Sequence, residues 1–268
     1  MTVKRGFVDI DEGQVHYRYK GAPEDVPLVM LHPGPTSAHS IVPLIDRLGA
    51  ARQIIAPDLL GMGDSAAPAH DETDMTYFAD AALRTLDALN VDTFDLWGSM
   101  TGAHTAIEVA ILQPKRVRRL YIEMLLEYDE ATEKALQENH APKIVVDQIG
   151  SQLNLLWHLA RDQHLFFPWF TRDAAHARTN GLPTAAQLHE KTVELLKACG
   201  TYHVALNAAL RHNSGERLAT VTVPVIGPEW FQKYLPSAVV RGDFCVGPAT
   251  APSGQVDKAA AEILCHLG

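Results

Sequence analysis

Cysteine is scarce in this sequence: Cys199, Cys245 and Cys265 make an odd complement without C-x-x-C spacing. That argues against a disulfide framework and against a structural zinc site, and it makes a reducing cytoplasm the expected compartment. Basic residues are outnumbered, 23 Lys and Arg against 32 Asp and Glu, for a formal charge of -9. Such a chain is not expected to bind nucleic acid, which needs Lys and Arg concentrated on one face. No apolar run approaches the roughly 18 residues of a membrane span. The stretch from Met1 to Tyr19 carries charges throughout and has no signal-like apolar core, so neither membrane association nor secretion is expected. No H-x-x-x-H pair and no glycine-rich nucleotide loop is present, and no metal or cofactor is expected.

What is there is the patterning of one folded unit. With 47% hydrophobic and 21% charged residues over 268 positions, the chain has enough apolar surface to build a large core. Gly6 to Ile10 and Val15 to Tyr19 alternate around Glu12-Gly13 and predict an opening hairpin. Val26 to Leu31, Gln53 to Ala56, Thr93 to Trp97 and Val117 to Met124 are short apolar runs of the kind buried in a parallel sheet. Helical spacing recurs between them over Ile41 to Leu48, Tyr77 to Leu89 and Ala103 to Leu112. This order predicts an α/β protein with a doubly wound, mostly parallel sheet.

From Leu125 to Leu218 the strand signal vanishes and a helical pattern rich in Leu, Ala and His takes over. The expected organisation is a core of residues 1–124 and 219–268 with a helical cap, residues 125–218, inserted into it. Two more strands, Val221 to Ile226 and Ser237 to Arg241, and a terminal helix from Val256 to His266 complete the core. Phe166 and Trp169, beside Pro168, are expected in the cap core or lining a pocket.

Three loops carry a resemblance. Leu31-His32-Pro33-Gly34-Pro35-Thr36-Ser37 resembles the His-Gly loop that follows the third strand in α/β-hydrolases, and Pro57-Asp58-Leu59-Leu60-Gly61-Met62-Gly63-Asp64-Ser65 resembles their D-x-x-G-x-G-x-S turn. Asp95-Leu96-Trp97-Gly98-Ser99-Met100-Thr101-Gly102-Ala103 resembles their nucleophile elbow. The resemblance implies an α/β-hydrolase fold, with oxyanion-hole amides at Gly34 and Thr101. It also exposes departures. Met100 stands at the nucleophile position, and a thioether has no proton to lose. The loop from Gly242 to Ala249, where the family keeps its histidine, has none, and no histidine lies between His212 and His266. Only Glu229 stands near the usual acid position, with Glu123 near an alternative one.

These losses resemble those of atypical members from natural-product pathways, among them the bottromycin peptide epimerase. The expected function is therefore non-hydrolytic: oxyanion stabilisation and proton transfer on a carbonyl-bearing small molecule or peptide, as an epimerase, isomerase, cyclase or lyase, in secondary metabolism. Glu123, Asp243, Cys245 or a substrate carboxylate would move the proton. His32, expected to brace its own loop, and Trp97, Ser99, His203 and Cys245 are the remaining candidate binding residues; His203 and His212 fall on a candidate cap helix and are the histidines that could face the pocket. Two alternatives stand beside this: a catalytically silent ligand-binding protein, and an unorthodox hydrolase using Ser99.

Overall fold

The computed structural model describes residues 2–23, 26–179, 181–240 and 253–267. The chain opens on a hairpin, β1 (Lys4–Ile10) and β2 (Gly13–Lys20), closed by the two-residue turn Asp11-Glu12 in the register Ile10 opposite Gly13. Then come β3 (Leu28–Leu31), α1 (Val42–Leu48), β4 (Ile54–Pro57), α2 (Met75–Ala88), β5 (Phe94–Ser99), α3 (Thr101–Leu112) and β6 (Val117–Met124). Strands β3, β4 and β5 are buried at every position, as expected of strands covered on both faces.

Between β6 and β7 the chain is helical: α4 (Glu130–Asn139), α5 (Ser151–Asp162), α6 (Ala185–Lys197), α7 (Tyr202–Leu210) and α8 (Ser214–Leu218). Helix α6 starts on a capping box in which the Thr184 hydroxyl accepts from the Gln187 N–H. An isolated bridge, Phe166 to Ala177, is the one β pairing in this insertion among the described residues. The chain returns through β7 (Val225–Gly227) and β8 (Val239–Val240) to α9 (Ser253–Leu267). Both last strands are shorter than their apolar runs predict, because β7 pairs with β6 only at Val225 and Ile226, and with β8 only at Ile226 and Gly227.

The eight strands form one sheet in the order β1-β2-β4-β3-β5-β6-β7-β8. The first two junctions, β1 to β2 and β2 to β4, are antiparallel, and every later one is parallel. Alternation along the strands splits the core in two. Leu28, Met30, Trp97 and Tyr121 pack with α1 and α9, whereas Val29, Leu31, Leu96 and Leu120 pack in one cluster with α2, α3 and the helical insertion. No described helix is long and apolar enough to cross a membrane.

Candidate functional site

The turn from β5 into α3 places Met100 at φ 51° and ψ -119°. A side-chain-bearing residue with positive φ costs on the order of 1–3 kcal/mol, so the surroundings must over-determine it. They do so through glycine. A Cβ on Gly98 would lie 2.5 Å from the Gly102 carbonyl oxygen and 2.9 Å from Ala106 Cβ. One on Gly102 would strike the Leu31 carbonyl of the neighbouring strand. The two glycines therefore let α3 start directly against the sheet, and the bend falls on the residue between them. The Met100 N–H is held by the Met124 carbonyl at 2.7 Å, and the Met100 carbonyl accepts from Ala103 and His104 as the first turn of α3.

Thr101, at the first position of α3, carries one of the leading N–H groups that a helix cannot bond internally. Gly34 lies beside it: a Cβ there would sit 2.7 Å from Thr101 Oγ1, 2.6 Å from Leu206 Cδ1 and 2.9 Å from Met62 Cε. Gly34 and Thr101 are thus close neighbours, and Leu206 of α7 packs against Gly34 from the insertion. Within the same loop His32 is fully buried. Its Nε2 accepts from the Leu59 N–H at 2.9 Å, so Nδ1 carries the proton and donates to the Pro33 carbonyl at 3.0 Å. Burial holds this ring below its ordinary pKa. His32 braces two loops against each other.

Asp58 serves the D-x-x-G-x-G-x-S turn. Its carboxylate accepts from the Ala38 and Asp64 N–H groups at 2.8 and 3.1 Å and pairs with His16 Nδ1 at 2.8 Å. Burial opposes its ionisation, but these donors, with His32 nearby, hold its pKa below the ordinary value. His16, Asp58 and Asp64 present ligand atoms within 4.8 Å of one another, a grouping that local spacing does not reveal. Lys197 already pairs with Asp64 at 2.7 Å.

The other predicted positions separate. Glu123 is buried near the end of β6, one residue before the Met124 that anchors the elbow. Ser99 is buried as the last residue of β5, opposite Met124. Trp97 is fully buried with α1 and α9 and is not brought to the elbow. Trp169 is buried in the core cluster of the insertion with Phe170 edge-on to it, while Phe166 is half-buried. His203, on α7, is buried, its Nδ1 is unpartnered, and burial lowers its pKa. Asp243 and Cys245 lie outside the described residues, as does the loop from Gly242 to Ala249 and the end of the run to Arg241. Glu229 opens a 3₁₀ turn, Glu229–Lys233.

One assembly was not foreseen as a unit. Met100, His104 and Glu108 follow one another at helical spacing along α3. His104 Nδ1 lies 3.1 Å from His212 Nδ1 and 2.8 Å from Ser214 Oγ. His212 Nδ1 is 2.9 Å from Ser214 Oγ, and its Nε2 is 2.8 Å from Glu108 Oε1. Arg217 grips both oxygens of Glu108 at 2.6 and 2.5 Å. Burial alone would raise the Glu108 pKa, but the bonds from His212 and Arg217 take it down to about 2. Burial and the neighbouring His212 push His104 down to about 3. His104, His212 and Ser214 form part of the wall of an open cavity of about 290 Å³. The His-x-x-x-Glu spacing at 104 and 108 was the only local signal, and its partners are more than a hundred positions away.

A family model described as alpha/beta hydrolase fold matches residues 26–147, from β3 through the elbow into the insertion. Together with the strand order and the glycine-flanked elbow, that decides the architecture. This chain has the α/β-hydrolase fold. The structure of Cfl2 from Burkholderia cenocepacia superposes with a TM-score of 0.74 at 18% identity, over 100% of this chain and 97% of that one. Epoxide hydrolase A from Mycobacterium thermoresistibile gives 0.70 at 20% identity over 100% and 99%. Among curated proteins, the 2-hydroxymuconate semialdehyde hydrolase of Pseudomonas sp. (strain CF600) is 38% identical over 99 residues, 36% of this chain and 35% of that protein. A proline iminopeptidase of Clostridioides difficile (strain 630) is 27% identical over 153 residues, 55% of this chain and 52% of that protein. The chain spans about a third of the length of the first of these curated relatives.

Within this α/β-hydrolase fold, Asp95 has a framework role. It is fully buried and takes Arg52 at 3.0 Å, Arg118 at 2.5 and 2.9 Å and Arg119 at 3.3 Å. Arg52 and Arg119 also donate to the carbonyls that end α9, so the cluster ties β5 to the last helix. His158 and Asp162, four residues apart on α5, stand 3.9 Å from each other, and Asp162 is buried beneath Arg161 and Arg172.

Proposed function

We propose that this chain binds a carbonyl-bearing small molecule or peptide at the elbow, between sheet and insertion, and rearranges it without forming a covalent intermediate there. The observation that carries this is Met100 at φ 51°. The strained turn that presents a nucleophile is kept although the side chain cannot be one, and the features kept with it are backbone donors. A preorganised N–H pair at Thr101 and Gly34 stabilises the oxygen of an enolate as it does that of a tetrahedral intermediate. Glu123, buried next to the residue that anchors the elbow, is the proton carrier we assign, together with any carboxylate the substrate brings. Epimerisation, isomerisation, cyclisation and lyase chemistry of secondary metabolism all pass through such a state. The hydrolytic activities in the names of the relatives require a nucleophile that Met100 does not supply.

The test is exchange of α-protons in heavy water, followed by mass spectrometry, over a panel of aspartyl peptides and 1,3-dicarbonyl compounds. Exchange or isomerisation without hydrolysis, reduced by Glu123→Gln, is the expected result. Tight binding of a panel member, seen as a raised Tm, with no exchange would instead support a ligand-binding protein, a reading favoured by the packing of Leu206 and Met62 against Gly34. Hydrolysis that depends on Ser99 would overturn both.

A further inference from the structure

We propose that Ser214 is a nucleophile, activated by His212 and Glu108, that takes an acyl group from small esters entering the cavity between α3 and the α7–α8 connection. The inference is independent of the elbow chemistry and uses no group of that site. It rests on the direction of the hydrogen bonds. Glu108 is ionised and pinned by Arg217, so it only accepts, and the proton on the 2.8 Å contact belongs to His212 Nε2. With that proton on Nε2, His212 Nδ1 is the acceptor 2.9 Å from Ser214 Oγ, and the serine hydroxyl donates into it. The serine proton being committed, His104 Nδ1 carries its own and donates to Ser214 Oγ at 2.8 Å. In this arrangement the order is serine, histidine, carboxylate, with the His212 carbonyl as a longer second acceptor for the Ser214 hydroxyl at 3.4 Å and His104 Nδ1 also 3.1 Å from His212 Nδ1.

A triad is recognised by geometry and roles and not by chain position. Here the carboxylate sits two turns along the elbow helix, and the histidine and serine come from the segment that leads back from the insertion. Ser214 is buried to 8% exposure yet forms part of the wall of the open cavity of about 290 Å³, which has room for a short acyl chain. In the reaction Ser214 Oγ bonds to the acyl carbon and the carbonyl pair moves to oxygen while the hydroxyl proton passes to His212 Nδ1. The imidazolium is stabilised by Glu108. Collapse expels the alcohol, which takes that proton, and water then repeats the sequence to release the acid. His104 Nδ1–H faces the same oxygen and donates to it.

The experiment treats the purified chain with a fluorophosphonate probe and locates the adduct by peptide mass spectrometry. The expected result is one adduct on Ser214, absent in Ser214→Ala, with labelling slowed about 10²- to 10⁴-fold in His212→Gln. A bond network that only braced α7 and α8 against α3 would not produce an adduct. Should Ser214→Ala fail to fold, Ser214→Cys keeps the site and is tested with iodoacetamide. Alkylation of Cys at that position faster than of Cys199 and Cys265, and slowed when His212→Gln is added, supports the proposal. No adduct on the folded parent chain, an adduct on Ser99 alone, or labelling unaffected by His212→Gln overturns it.

Discussion

The Met100 N–H donates to the Met124 carbonyl at 2.7 Å, which fastens the elbow of one strand to the end of the next. The bond belongs to the backbone and does not depend on what side chain Met100 carries. The elbow is therefore kept by glycine packing and strand pairing, and a hydroxyl placed there is not expected to act without a general base.

From this follows the first prediction. In a Ser214→Ala background, which removes the other candidate nucleophile, Met100→Ser is expected to fold normally and to hydrolyse p-nitrophenyl acetate about 10²- to 10⁴-fold more slowly than serine relatives, for want of a general base. Turnover at the level of an ordinary esterase would mean that a histidine reaches the elbow after all.

Gly102 and Gly200 make a matched pair for the close approach of α3 to the sheet. A Cβ on Gly102 collides with the Leu31 carbonyl, whereas one on Gly200 meets nothing within 4 Å. Gly102→Ala is expected to lose about 1–3 kcal/mol or more, because the obstacle is backbone that has no rotamer to change. Gly200→Ala is expected to lie within about 0.5 kcal/mol of the parent, as exposed substitutions do. Thermal unfolding of both variants checks the difference, and equal losses would mean that α3 does not rest on β3 as described.

Asp95 is the one acceptor of three arginine side chains among the described residues, so its loss leaves Arg52, itself buried, without its ion pair. Asp95→Ala is expected to cost about 3–5 kcal/mol, the range for removing one partner of a buried pair. Burial opposes ionisation of Asp95, but the arginine bonds win and its folded pKa is lowered. The sign follows: the stabilisation is complete above the unfolded carboxylate value near 3.8 and is lost as pH falls through the lower folded value. Urea unfolding across that range is expected to show a steeper acid loss for the parent than for Asp95→Asn.

His164 carries a second pH signature at milder acidity. Burial, with Lys191 and Arg178 nearby, lowers its pKa from 6.5 to about 4. Its neutral form is favoured in the folded chain, so its contribution is complete above pH 6.5 and lost progressively as pH falls toward 4. His164→Gln is expected to flatten the stability profile in that window and leave it unchanged above pH 7. An unaltered slope between pH 6.5 and 4 would show that His164 is solvated in the folded chain.

Local patterning in the sequence determined the order of strands and helices, the hairpin, the helical insertion and the three loops at the elbow. These rest on period, on turn residues and on glycines whose need is local. Gly98 and Gly102 are legible because only glycine admits a strand and a helix at that distance. The place of Met100 in the turn was legible for the same reason, since one position between two glycines is fixed by the turn itself. The tertiary structure decided what stands beside these loops. Trp97 reads as a neighbour of the elbow, but alternation along β5 turns it to the opposite layer with α1 and α9. His212 and Ser214 carry no motif, and they meet His104 and Glu108 only because the chain returning from the insertion crosses the elbow helix there. Proton direction in that cluster depends on Arg217 holding Glu108 ionised at a 2.5 Å contact. Such a condition is set by burial and distance between segments, and neither is written in the spacing of residues along the chain.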